Sequence, residues 1–185
     1  MDFQNDGQFV PPANVTTVFV QAWGGGGGGG GGDVNNSGSG GGAGGFAWCV
    51  LPVQPGTPVA VDVGTGGSGA PPSFPGDLGT PSTVDNGLGD VVTANGGVFG
   101  SHLNGGAGGT AFCPGQGTVR QGANGGDGSG VAPGGPGAQG GRPAVDGIIQ
   151  PAPPGAGIGG SGGARGVGPD AGGENGGPGY VVIWW

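Results

Sequence analysis

Between residues 15 and 23 the chain alternates: Val18, Val20 and Ala22 fall on one face, and Thr17, Phe19, Gln21 and Trp23 on the other. A period of two is the signature of a strand, and Pro11-Pro12-Ala13-Asn14 supplies the turn in front of it. Segment 46–53 is apolar on both faces and reads as a second strand. Gln54-Pro55-Gly56-Thr57 then turns tightly into 59–63, so 46–53 and 59–63 are expected to form a hairpin. Segments 82–85 and 91–94 flank Asn86-Gly87-Leu88-Gly89-Asp90 as another hairpin. The last strand is 180–185. From 95 to 179 no strand or helix pattern is visible, only glycine-dense sequence with scattered apolar residues such as Val98, Leu103, Phe112 and Ile158.

If successive strands run antiparallel, each long glycine-rich excursion leaves the same end and both termini lie at the other. The expected architecture is therefore all-β: a small antiparallel β-sandwich base (9–23, 46–63, 82–94, 180–185) carrying a glycine-rich crown (24–45, 64–81, 95–179), with no α-helix. The whole, 1–185, is one domain.

Composition decides what the crown must be. Glycine supplies 58 of 185 positions and hydrophobic residues only 32%, so a side-chain core is small. Nine glycines in a row, from Gly24 to Gly32, form no stable α-helix and bury no side chain. Ordering them costs roughly 1–2 kcal/mol of backbone entropy per residue, which dense backbone hydrogen bonding must offset. Threefold helices of the polyglycine-II type provide it, because their N–H and C=O groups point outward to lateral neighbours. Such helices need glycine where they touch. A threefold register runs through Gly122, Gly125 and Gly128, through Gly134, Gly137 and Gly140, and through Gly160, Gly163 and Gly166, which are assigned to crown packing. Between contacts a side chain should matter little, as at Asn124.

The net charge is −8, with no lysine and only Arg120, Arg142 and Arg165 as cations, which argues against nucleic acid or an anionic membrane as partner. The amino-terminal residues carry no secretory signal pattern and no window is apolar enough to span a membrane, so neither secretion nor membrane insertion is expected. Cys49, in a strand-like segment, and Cys113, in a glycine-rich one, are candidates for a disulfide that would tie the two kinds of structure together. Without a signal peptide the expectation leans to two free, buried thiols.

Chemistry is sparse. His102 has no nucleophile or acid at a recognisable spacing, the acids are dispersed without a calcium-binding pattern, and the absence of lysine removes a phosphate loop. No catalytic residue, metal or cofactor is assigned, and the chain is read as non-enzymatic.

The segment 9–18, the glycine run after Trp23, Gly44-Gly45-Phe46, Val53-Gln54-Pro55-Gly56-Thr57 before 59–64, and Gly176-Gly177-Pro178-Gly179-Tyr180 before the final strand together resemble the glycine-rich domain of bacteriophage tail proteins and tail-fibre adhesins. The likeness runs over essentially the whole chain, in the order of its motifs. It implies a sandwich of polyglycine-II helices whose distal loops meet the host surface. The resulting expectation is a virion protein, made in the host cytoplasm, in the tail or on the particle surface. Its implied partners are other virion proteins and a host cell-surface receptor, glycan or protein, and a homo-oligomer is compatible with it. At the base, Phe3, Phe9, Trp184 and Trp185 are candidates for docking by aromatic burial. Capsid decoration or a head fibre is the alternative of the same class. An ice-binding protein and an extracellular structural protein are alternatives of other classes.

Overall fold

The computed structural model describes residues 1–130, 141–142, 149–166, 168 and 171–185. Ten strands are found among them: β1 Asp2–Phe3, β2 Gly7–Phe9, β3 Thr17–Trp23, β4 Phe46–Pro52, β5 Val59–Asp62, β6 Ser82–Asp85, β7 Val91–Ala94, β8 Ala111–Phe112, β9 Gly117–Arg120 and β10 Tyr180–Trp184. They make two antiparallel five-stranded sheets, ordered β1-β10-β3-β4-β9 and β2-β5-β6-β7-β8. The fold is an all-β sandwich.

Alternation places the core. Val18, Val20 and Ala22 of β3, Ala47, Cys49 and Leu51 of β4, and Val181 and Ile183 of β10 face Phe9, Val59, Val61, Val84, Val92 and Ala94 of the other sheet, all buried in one cluster. The core is built of small aliphatic side chains, as the composition requires.

Three expectations change. Segments 46–53 and 59–63 are not a hairpin: β4 has both edges filled, by β3 and β9, while β5 pairs with β2 and β6 in the facing sheet. The Gln54 turn is tight, closed by Thr57 N–H to Gln54 O at 3.0 Å with Gly56 at φ 77°, but it carries the chain across the sandwich. Secondly, 95–179 is interrupted by β8 and β9, whose pairing with β7 and β4 extends one edge of each sheet. These strands are two and four residues long, too short for periodicity to reveal. Thirdly, Cys49 and Cys113 are not free thiols but form a disulfide. Register along β4 brings Gly117 opposite Cys49, which leaves Cys113 close enough to bridge it.

The glycine excursions leave from one end of both sheets, since Trp23 lies opposite Phe46 and Tyr180 in one sheet and Ser82 opposite Ala94 in the other. The Ser82 hydroxyl rivets the two sheets there, donating to Trp23 O at 2.7 Å while accepting the Gly64 N–H at 2.9 Å.

Segment 24–32 is the axis of the crown. Its amides follow a strict period of three: Gly24, Gly27 and Gly30 donate to the carbonyls of Gly45, Gly42 and Ser39; Gly25, Gly28 and Gly31 to Thr80, Asp77 and Phe74; Gly26, Gly29 and Gly32 to Gly177, Glu174 and Ala171. Each partner series steps backward by three, so these neighbours are antiparallel. Its carbonyls serve three parallel neighbours: Gly25 and Gly28 accept from Gly97 and Gly100, Gly26, Gly29 and Gly32 from Gly67, Ala70 and Ser73, and Gly27 and Gly30 from Gly160 and Gly163. Six neighbours around one threefold helix is hexagonal packing. No direction is left for a side chain: at every position from Gly24 to Gly32 a Cβ would fall within 3.0 Å of a neighbouring carbonyl oxygen. At 3.1 Å per residue the nine glycines span about 28 Å.

Segment 37–45 is a second hub. Its amides go in threes to Ser129, Gly126 and Ala123, to Gly163, Gly160 and Gly157, and to Ser101, Val98 and Asn95. It admits the small side chains of Ser37, Ser39 and Ala43, all buried.

Two outcomes follow for stability. Gly125 donates to Gly106 O, and a Cβ on it would strike Gly40 O, whereas a Cβ at Gly130 in the same segment meets nothing closer than 3.8 Å among the described residues. Gly125→Ala should lower stability by about 2 kcal/mol, and Gly130→Ala should stay within about 0.5 kcal/mol of the parent. Equal unfolding midpoints would contradict the packing. The Cys49–Cys113 bridge spans 64 residues, so the Cys49→Ala/Cys113→Ala variant should lose about 4 kcal/mol in denaturant unfolding on the chain-entropy account.

Candidate functional site

The far end of the crown is assembled from the turns that join its helices. At 33–36, Asp33 Oδ1 accepts the N–H groups of Asn35 and Asn36, both at 2.7 Å, and Asn36 O accepts the Asp33 N–H at 2.8 Å. The side chain thus shapes its own turn, the usual device of an aspartate in a loop. The second carboxylate oxygen, Oδ2, lies 2.9 Å from His102 Nε2. Arg165 reaches in from a third segment, its Nε donating to Val34 O at 2.9 Å, and Gly166 N–H donates to Asp33 O at 2.8 Å. Three stretches distant in sequence are locked around one turn.

Backbone bonds hold the neighbouring turns beside it: Gly31 N–H to Phe74 O, Ser73 N–H to Gly32 O, and Gly128 N–H to Leu103 O. This end therefore displays Val34, Phe74 and Leu103, which are 57%, 59% and 45% exposed. Large apolar side chains on a rigid polar scaffold are what a binding surface offers.

The Asp33 carboxyl is held below its ordinary value, first by the Asn35 N–H and then by the Asn36 N–H and His102, with desolvation pulling the other way. His102 Nδ1 is buried without a hydrogen-bond partner among the described residues. Sequence spacing gave no hint of the Asp33–His102 pair, because the two meet only where the parallel helices 24–32 and 97–100 end side by side.

The residues assigned to crown packing fall into three groups. Gly122, Gly125, Gly128, Gly160 and Gly163 all abut neighbouring backbone. Gly134, Gly137 and Gly140 lie outside the described residues. Gly166 is not a packing glycine: it sits in the tip turn at φ 151° with no atom of the described residues near its Cβ position.

The base end differs from expectation too. Phe9 is not available for docking, because β2 turns it into the core at 1% exposure. Phe3 is half-buried against the same core, and Trp184 is half-buried and stacks on Phe19 at 5.6 Å between centroids. Only Trp185 of the four is exposed, at 55%, its ring 5.1 Å from that of Phe9. Above Trp184 the outer face of the first sheet carries Trp23, Phe46, Trp48 and Tyr180, against which Ala152 and Ala156 pack. Gln21 secures that cover, accepting the Ile149 and Gln150 N–H groups on Oε1 and donating Nε2–H to Gln150 O.

Asp33 carries a testable consequence. A depressed folded value means that its stabilisation of the turn is present above the ordinary 3.8 and is lost as pH falls through the lower, folded value. The amide resonances of Asn35 and Asn36 should shift together below pH 3.8, while those of β3 stay put. Titration at or above that value would contradict the geometry.

No curated protein matches the sequence. A family model described as a glycine-rich domain matches residues 4–150, a span that takes in β2 to β9, the two hub segments and the Asp33–His102 pair. The chain belongs to the glycine-rich domain family.

Proposed function

We propose that the chain is a non-enzymatic structural protein of a bacteriophage particle, a minor tail or tail-fibre-tip component, and that the distal end of its crown adheres to the host surface. The observation that carries this reading is the polarity of the molecule. Val34, Phe74 and Leu103 are displayed at one end, around a turn braced by Asp33, His102 and Arg165. Both termini lie towards the other end, with the Met1 amino group on Ile183 O and Trp185 beside Phe9. A protein anchored at its base would thus hold its apolar end away from the particle on a stem of about 28 Å.

The phage assignment draws on the order of motifs from Phe9 to Ile183 that resembles tail adhesins. The Cys49–Cys113 bridge suits a protein that works outside a reducing cytoplasm. The crown's rigidity also favours binding, because little entropy is lost when preorganised loops meet a surface.

Purified protein should compete with the phage for adsorption to host cells, and a Val34→Asp/Phe74→Asp/Leu103→Asp variant should lose at least tenfold in that competition while keeping its melting temperature. If saturating protein leaves adsorption unchanged and antibody labelling finds the chain on the capsid, a decoration role replaces adhesion.

A further inference from the structure

Three side chains on the crown surface make the same bond. Gly125 N–H donates to Gly106 O at 2.9 Å, and the residue before it, Asn124, lays its Oδ1 on the N–H of Gly108 at 3.0 Å. Gly128 N–H donates to Leu103 O at 2.8 Å, and Asp127 Oδ1 takes the N–H of Gly105 at 2.8 Å. On a separate pair of helices, Gly176 N–H donates to Gly67 O at 2.9 Å, and Asn175 Oδ1 takes the N–H of Gly69 at 2.7 Å. The offset is identical each time: the capping side chain precedes the donating glycine, and the capped amide lies two residues beyond the accepting carbonyl.

In the hub segments every such amide meets a carbonyl of a further helix. Here the side-chain oxygen stands where that carbonyl would be. The capped residues cannot supply it themselves, because a Cβ on Gly105, Gly108 or Gly69 would strike Gly125 O, Gly122 O or Gly173 O. The acceptor has to come from the neighbouring helix, and Asn124, Asp127 and Asn175 are all exposed. Asn124 is therefore not the indifferent position that its spacing suggests.

We infer that Asn124, Asp127 and Asn175 terminate the lateral hydrogen-bond lattice of the crown and so keep a glycine helix of a second copy of this chain from adding to it. A row of unpaired amides at the threefold repeat, about 9 Å apart, is to this lattice what an open edge strand is to a sheet: a template for the next chain. Each molecule is rich in helices of the kind that would fit. Asp127 adds a charge to the edge, and at −8 two copies repel one another, which works in the same direction.

The test compares the full chain with two variants, Asn124→Ala/Asp127→Ala/Asn175→Ala and Asn124→Asp/Asn175→Asp, the second of which keeps every acceptor. Near-ultraviolet circular dichroism of the tryptophans monitors folding. In the alanine variant, amide exchange at Gly69, Gly105 and Gly108 should quicken roughly fivefold or more, as expected for loss of a bond of ordinary strength. Sedimentation should show concentration-dependent association that the parent and the aspartate variant lack. A folded alanine variant with faster exchange that stays in the parent's association state would overturn the inference, since the side chains would then protect only their own helices. Unchanged exchange would overturn it at the level of the bonds. If the alanine variant fails to fold, the single variant Asn175→Ala, on the separate helix pair, is read by the same two measurements.

Discussion

A glycine backbone can be packed only against other backbone, and here that packing is done by lateral N–H···O=C bonds between threefold helices. Segment 24–32 takes this to its limit: all nine of its amides are used, six neighbours surround it, and a Cβ anywhere along it would collide with a carbonyl. The entropy cost of ordering glycine is offset because every residue so ordered brings a bond and a close contact with it. The same demand sets the composition. Outer helices carry Val98, Leu78 and Ile158 on their solvent side, the second hub carries only Ser and Ala, and the first carries nothing.

The base works by the opposite chemistry, and the join between the two is where side chains matter most. Aliphatic alternation closes the sandwich, and the disulfide fastens β4 to the chain just ahead of β9. The Ser82 hydroxyl binds Trp23 and Gly64 where the excursions leave. Helices that start from fixed strand ends start in register, which selects one of the equivalent alignments of a threefold lattice.

β3 is legible from its alternation, β4 and β10 from their apolar runs, and β5, β6 and β7 from the turn residues that flank them, as is the common exit of the excursions, because alternation, turn residues and antiparallel succession are local facts. The partner of β4 is not local. It depends on which edges are already filled, so a tight turn at Gln54 looks like a hairpin until β9 is known. The nonaglycine run shows that backbone packing is needed but not that this run is central, since identical residues carry no mark of their neighbours. The tip was hidden for the same reason: Asp33, His102 and Arg165 meet only because the parallel helices that lead to them end together. The capping side chains did leave a trace, an Asn or Asp directly before a glycine at 124, 127 and 175. In so glycine-rich a chain that trace has no meaning until the helix pairs are known.

The axis of the crown lies early in the chain, yet one of its three antiparallel partners is 171–177. On a ribosome working from the amino terminus, segment 24–32 emerges long before that partner exists. Until 171–177 has been made, the amides of Gly26, Gly29 and Gly32 lack the carbonyls that they bind in the folded crown. The contact order of the crown is accordingly extreme, and its final assembly waits on the synthesis of that partner, which makes it slow. A protein built this way is stable only when complete, and partial products of its translation would be left with an unfinished lattice exposed.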